Sequence, residues 1–129
     1  MTRWYWRQVG GTLVEEFCAV KRGSGCGQRL IDGVIVFDGE HRVAKQAEVN
    51  LTDRHIIVVQ AKAMRLGMYL MGQAYFSAHL LSRFQPRSIT SVALCKQSDS
   101  VLAPMFESYP NMKVVVCPPE VTYETCEII

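Results

Sequence analysis

The chain has 129 residues, of which 49% are hydrophobic and 20% charged, with a formal net charge of +2. That balance excludes a disordered segment and predicts one compact domain over residues 1–129, large enough to fold without a disulfide or a structural metal. The mildly basic charge permits a nucleic-acid partner without requiring one.

In chain order, RWYWRQ predicts a short helix closed by Gly10-Gly11. TLVEEFCAV is rich in β-formers and predicts a strand, with a helix through Glu15 and Glu16 as the rival reading. KRGSGCGQ is a Gly-rich turn, and RLIDGVIVF is the next strand, closed by the turn signal Asp38-Gly39. Residues 40–54 are polar and predict a loop or a weak hairpin. HIIVVQAKA carries a β-branched run too apolar for a sheet with one wet face, so both faces are expected to be covered. Residues 64–82 change to a helical period and are apolar nearly all round, which suits a central helix or one in a subunit interface. SITSVALCK is a strand and SDSVLAPMFESYP a helix opened by an Asp/Ser cap signal. MKVVVCP is a last buried strand broken by Pro118-Pro119, and EVTYETCEII is an edge strand or a loose tail. The sum is an α/β domain: an antiparallel start, then a helical crossover to a parallel strand.

Cys18, Cys26, Cys95, Cys117 and Cys126 are odd in number and form no CxxC pair, which predicts reduced thiols rather than a disulfide framework or zinc ribbon. The start of the chain lacks the apolar core of a signal peptide, and LGMYLMGQAYFSAHLL, interrupted by Gln73 and His79, falls short of the roughly 20 residues that span a bilayer. A soluble cytoplasmic protein is expected.

Polar groups stand inside the most hydrophobic strands. Gln60 and Lys62 share one face of their strand, and Asp32 lies within its neighbour. If the two strands pair near these positions, the three side chains converge. An unpaired buried charge is strongly unfavourable, so they should pair, bind a metal or face a cleft. Taken singly, Lys62 suits a side chain reaching out to solvent, and Asp32-Gly33 suits a bulge or turn. Taken together they suit phosphodiester hydrolysis. Asp32, Gln60 and the Ala61 carbonyl can offer oxygens to Mg²⁺ or Mn²⁺, while Lys62 positions the attacking water and offsets charge on the phosphate.

Asp32 followed by Gln60-Ala61-Lys62, in this order of elements, resembles the PD-(D/E)XK nuclease superfamily. VVQAK after IDG is most similar to Mrr-type restriction endonucleases, in which Gln replaces the second acidic ligand. AVKRGSGCGQRLIDGVIV is similar to archaeal Holliday-junction resolvases, in which a basic, Ser/Gly-rich turn precedes the metal-binding Asp. The resemblance covers about residues 12–96. It implies a restriction-endonuclease-like core with a mixed sheet of four to five strands flanked by helices. It implies Asp32 and Gln60 as metal ligands, Lys62 as the catalytic lysine, and a further carboxylate, for which Glu15 and Glu16 are the nearby candidates. It also implies a stand-alone nuclease core acting on DNA as a homodimer, with residues 64–82 as the interface and Gln73 as a supporting polar group. Two other outcomes are expected if that resemblance misleads. One is a non-catalytic member of the same fold that binds nucleic acid or protein. The other is an unrelated α/β structural homo-oligomer in which the polar trio is an internally satisfied cluster.

Lys21, Arg22 and Arg29 flank the Gly-rich turn, where they could contact phosphates or simply be solvated. Trp4, Tyr5 and Trp6 suit packing of the first helix or, as the lesser reading, base stacking. His41, His55 and His79 are too scattered for a metal site, and no GxSxG elbow or P-loop is present.

Overall fold

The structure is a computed structural model that describes residues 1–121. Helix α1 (Thr2–Val9) ends at Gly10 and Gly11, whose φ angles of 82° and 80° turn the chain directly into β1 (Thr12–Val20). β2 (Arg29–Val36) pairs antiparallel with β1, and β4 (His55–Ala61) pairs antiparallel with β2. Between β2 and β4 lies the short β3 (Arg42–Val43), parallel to β1, followed by one helical turn at Gln46–Glu48. α2 (Met68–Ser82) carries the chain to β5 (Ser88–Cys95), parallel to β4, and α3 (Leu102–Glu107) leads to β6 (Met112–Val116), parallel to β5. The sheet order is β3-β1-β2-β4-β5-β6.

The expected α/β architecture with a mixed sheet flanked by helices is present, but the sheet has six strands rather than four to five. The extra strand, β3, comes from the polar segment expected to be a loop or hairpin. It is too short and polar to announce itself, and it forms because the edge of β1 offers free backbone groups. Farther along that edge the side chain of Gln46 takes over, accepting from the Cys18 N–H at 2.8 Å and donating to the Cys18 carbonyl at 3.0 Å.

The sheet is covered on both faces, as the apolar β4 predicts. On one side Met1, Tyr5 and Trp6 pack with Leu13, Ile35, Val59, Val92 and Leu94. On the other, Leu81 of α2 packs on Val34, Ile56 and Val58, and Leu70, Ala74 and Phe106 close over Ala93 and Cys95. Helix α2 begins at Met68, not at Met64. The preceding residues stay extended because they pair with the continuation of β5: Lys96 N–H donates to the Met64 carbonyl at 2.9 Å and Leu66 N–H to the Gln97 carbonyl at 2.8 Å. No helix among the described residues is long and apolar enough to cross a membrane. The tail expected as an edge strand or loose segment lies outside the described residues from Thr122 onward.

Candidate active site

A strand presents alternate residues to opposite faces, so Val14 and Phe17, an odd number of positions apart, should face opposite ways. So should Val34 and Ile31. Instead all four pack in the same core cluster. The change of phase falls at Glu16, whose φ is +48°, a region that non-glycine residues rarely occupy. It falls at the same level on β2, because Glu15 faces Gly33 and Phe17 faces Ile31, which brackets Glu16 across from Asp32. The core thereby gains Phe17 and Ile31, and the two carboxylates between them are left exposed to solvent. Gly33 allows the backbone here to be approached from behind. A Cβ at this position would stand 2.7 Å from Cγ2 of Thr2 and 3.2 Å from Cδ1 of Leu13, so glycine lets α1 seat beside Asp32 without displacing either side chain.

The ladder between β2 and β4 stops at Gly33–Val59, and side chains replace it one step farther on. The Asp32 N–H donates to Oε1 of Gln60 at 3.4 Å, and the Ala61 N–H donates to Oδ2 of Asp32 at 2.8 Å. Gln60 is buried, and its Nε2 donates to Oγ of Ser77 on α2 at 2.8 Å. Lys62 is half-buried, with Nζ 4.7 Å from the centre of the Tyr69 ring at the start of α2. Asp32, Gln60 and Lys62 are therefore neighbours at the end of the sheet where β4 gives way to α2, with Gln60 buried and meeting the backbone of Asp32 rather than its carboxylate.

Asp32 is open to solvent at its outer edge, yet the surrounding protein strips enough water from it to push its carboxyl above the ordinary carboxylate range. The Ala61 N–H pulls the other way, the negative charge of Glu16 pushes it further up, and the positive charge of Lys62 lowers it. Glu16 and Lys62 thus both act electrostatically on the same carboxylate. Glu15 points elsewhere: its carboxylate binds the Arg3 guanidinium of α1 through contacts of 2.6 and 3.0 Å.

Lys21 and Arg22 on the turn that joins β1 to β2, and Arg29 at the start of β2, are all exposed at the same end of the sheet as Asp32. The turn is pinned by a small antiparallel bridge between Gly23 and Cys26. Tyr5 and Trp6 are core residues, and Trp6 Nε1 donates to the Gly11 carbonyl at 2.7 Å. His41 stacks on Trp6, His55 bonds Ser88 Oγ at 2.6 Å, and His79 lies against Tyr75, so the histidines are scattered. The supporting polar group from α2 is Ser77 rather than Gln73. Ser77 lies on the buried stripe Leu70, Ala74, Ala78, Leu81, and a hydroxyl at that helical spacing is the signal that could have identified it.

Among the described residues no group of three or more His, Cys, Asp or Glu could hold a metal ion. A cation that prefers oxygen needs less: Mg²⁺ is commonly held by one or two carboxylates and keeps several waters. Asp32 and Glu16 fit that donor set. Gln60 is a neutral oxygen whose amide is already bonded on both sides. Comparison with protein-family models, with curated proteins and with solved structures finds no match for this chain.

Proposed function

We propose that this chain is a metal-dependent deoxyribonuclease of the PD-(D/E)XK kind, hydrolysing DNA phosphodiester bonds at Asp32. The observation that carries the reading is an open carboxylate, Asp32, under the charges of Glu16 and Lys62 from the neighbouring strands, with its backbone fixed by Gln60 and its Oδ2 by the Ala61 N–H. In this reading Asp32 and Glu16 are the charged ligands of a divalent cation, and the Ala61 carbonyl is a further neutral oxygen. When bound, Mg²⁺ or Mn²⁺ supplies a polarised phosphate and a more acidic water. Gln60, braced by Ser77, holds Asp32 through its backbone and keeps the end of β4 in place. Lys62 orients the attacking water and offsets the charge that builds on the phosphate. Lys21, Arg22 and Arg29 take up flanking phosphates.

Plasmid nicking with Mg²⁺ or Mn²⁺ tests the reading, with Lys62→Ala purified in parallel. Cleavage is expected from the wild type and not from the variant; equal cleavage by both would mean a contaminant. A specific observation favours a second reading, in which the same fold binds nucleic acid or protein without cutting: Gln60, bonded at both ends of its amide, lacks the charge that a metal ligand usually brings. Calorimetry with Mn²⁺ separates the two: a working nuclease binds the cation and loses it in Asp32→Asn, and a bare scaffold binds none.

The partner surface in this proposal is the outer side of α2. Met68 is 76% and Phe76 64% exposed, beside exposed Met105 of α3 and Tyr109 just beyond its end. An apolar patch of this kind suits an interface with a second copy. Sedimentation should find a dimer, and Phe76→Glu should leave a monomer.

A further inference from the structure

A cavity of about 350 Å³ opens at Lys62, lined by that residue with Met64, Arg65, Gly67, Tyr69 and Leu70. It is as small as the lower end of ordinary small-molecule sites, which run from roughly 300 to 1,000 Å³. Its walls combine two chemistries. Tyr69 is 69% and Met64 61% exposed where the chain enters α2, with Lys62 Nζ over one face of the Tyr69 ring and the rest of the ring open to solvent. Lys62 and Arg65 bring positive charge, and no carboxylate lines the space. Asp99, on which the positive charge of Arg65 also acts, accepts from the backbone N–H groups of Val101 and Leu102 at 2.9 and 2.8 Å.

An exposed aromatic face flanked by cations is the combination that takes up single nucleotides: the base stacks and the phosphate is neutralised, whatever the base. A paired and stacked base cannot enter, because its faces are already covered by its neighbours. Lys62 joins the two places, since it lines this cavity and also acts on Asp32. From this we infer that the cavity receives one unpaired nucleotide next to the scissile phosphate, so that the preferred substrate is DNA with a gap, flap or single-stranded end rather than continuous duplex. The inference rests on the nuclease reading for the cut but not for the binding.

Binding is therefore measured apart from cleavage, with the full chain in EDTA. The probes are a fully paired duplex and a duplex of the same sequence with a short gap, each carrying a fluorescent adenine analogue that reports stacking. The gapped duplex is expected to bind about tenfold more tightly, with the analogue quenched, as loss or gain of one base–aromatic stack commonly gives. Tyr69→Ala should remove both the preference and the quenching, and Tyr69→Phe, which keeps the ring, should retain them. Equal affinity for the two probes, or a Tyr69→Ala loss shared equally by both, overturns the inference. The two readings fail separately on adding Mg²⁺. Cleavage without preference leaves the nuclease and removes the nucleotide pocket; preference without cleavage does the reverse.

Discussion

The two halves of the sheet treat polar residues in opposite ways. In the parallel half, Ser91 of β5 is fully buried, and its hydroxyl donates to the Ala74 carbonyl at 2.6 Å. The hydroxyl has a partner and no room, so it is a structural contact. In the antiparallel half, Asp32 breaks into an equally apolar strand, but there both β1 and β2 change phase so that its carboxylate and that of Glu16 stand in the open. A polar group in a buried strand signals function when the backbone departs from regularity to keep it wet. Gln60 sits on the border between the halves, buried like Ser91 and bonded to Asp32.

The sharpest break between the halves should be in activity. Asp32→Asn or Lys62→Ala is expected to lower plasmid cleavage by on the order of 100-fold or more, the usual scale for removing a charged participant in phosphoryl chemistry. Ser91→Ala should leave cleavage at the wild-type level. A large cleavage defect in Ser91→Ala at full stability would mean that the contrast between the halves is misdrawn.

Stability should follow the buried amide and hydroxyls rather than the open carboxylate. Gln60→Leu leaves the Ser77 hydroxyl and the Asp32 N–H without their partner, and should cost about 1–3 kcal/mol in urea unfolding. Ser77→Ala strands the buried Gln60 amide and should fall in the same range. Ser91→Ala, which removes one hydroxyl from a carbonyl that keeps its helical partner, should cost about 1 kcal/mol. If Gln60→Leu proves neutral, its amide is not the brace that holds the end of β4.

Much of this arrangement is legible in the sequence, because it follows from periodicity. The β-branched run of HIIVVQAKA, the shift to a helical period before Leu81 and the shared face of Gln60 and Lys62 are all local patterns. What is not legible is set by tertiary pairing. Alternation sends Glu15 and Glu16 of TLVEEFCAV to opposite faces, but no local pattern says that one meets Arg3 and the other Asp32, or that the positive φ at Glu16 shifts the phase beyond it. Strict alternation would give a different set of inward residues from Phe17 onward. Likewise Met64–Leu66 has helical composition but is held extended by the end of β5, a contact more than 30 residues distant. The sixth strand depends on an edge that no local pattern describes.

The smallest effect concerns what the open carboxylate costs. Loss of hydration at Asp32 raises its carboxyl above the ordinary value of 3.8, with the Ala61 N–H and Lys62 opposing and Glu16 assisting. The folded protein therefore holds this proton more tightly than the unfolded chain. Its contribution to stability is full below the unfolded pKa and is lost as pH rises through the raised folded pKa. Asp32→Asn removes that loss. It should match the wild type in strongly acidic buffer and exceed it at neutral pH, by less than about 1 kcal/mol because the outer edge of the group is wet. Divalent cation should then stabilise the wild type and leave Asp32→Asn unchanged. A variant that is less stable than the wild type at neutral pH would instead make the Ala61–Asp32 bond a structural contact of the Ser91 kind. The unmatched charge at this end of the sheet would then carry no stability penalty that a bound cation could relieve.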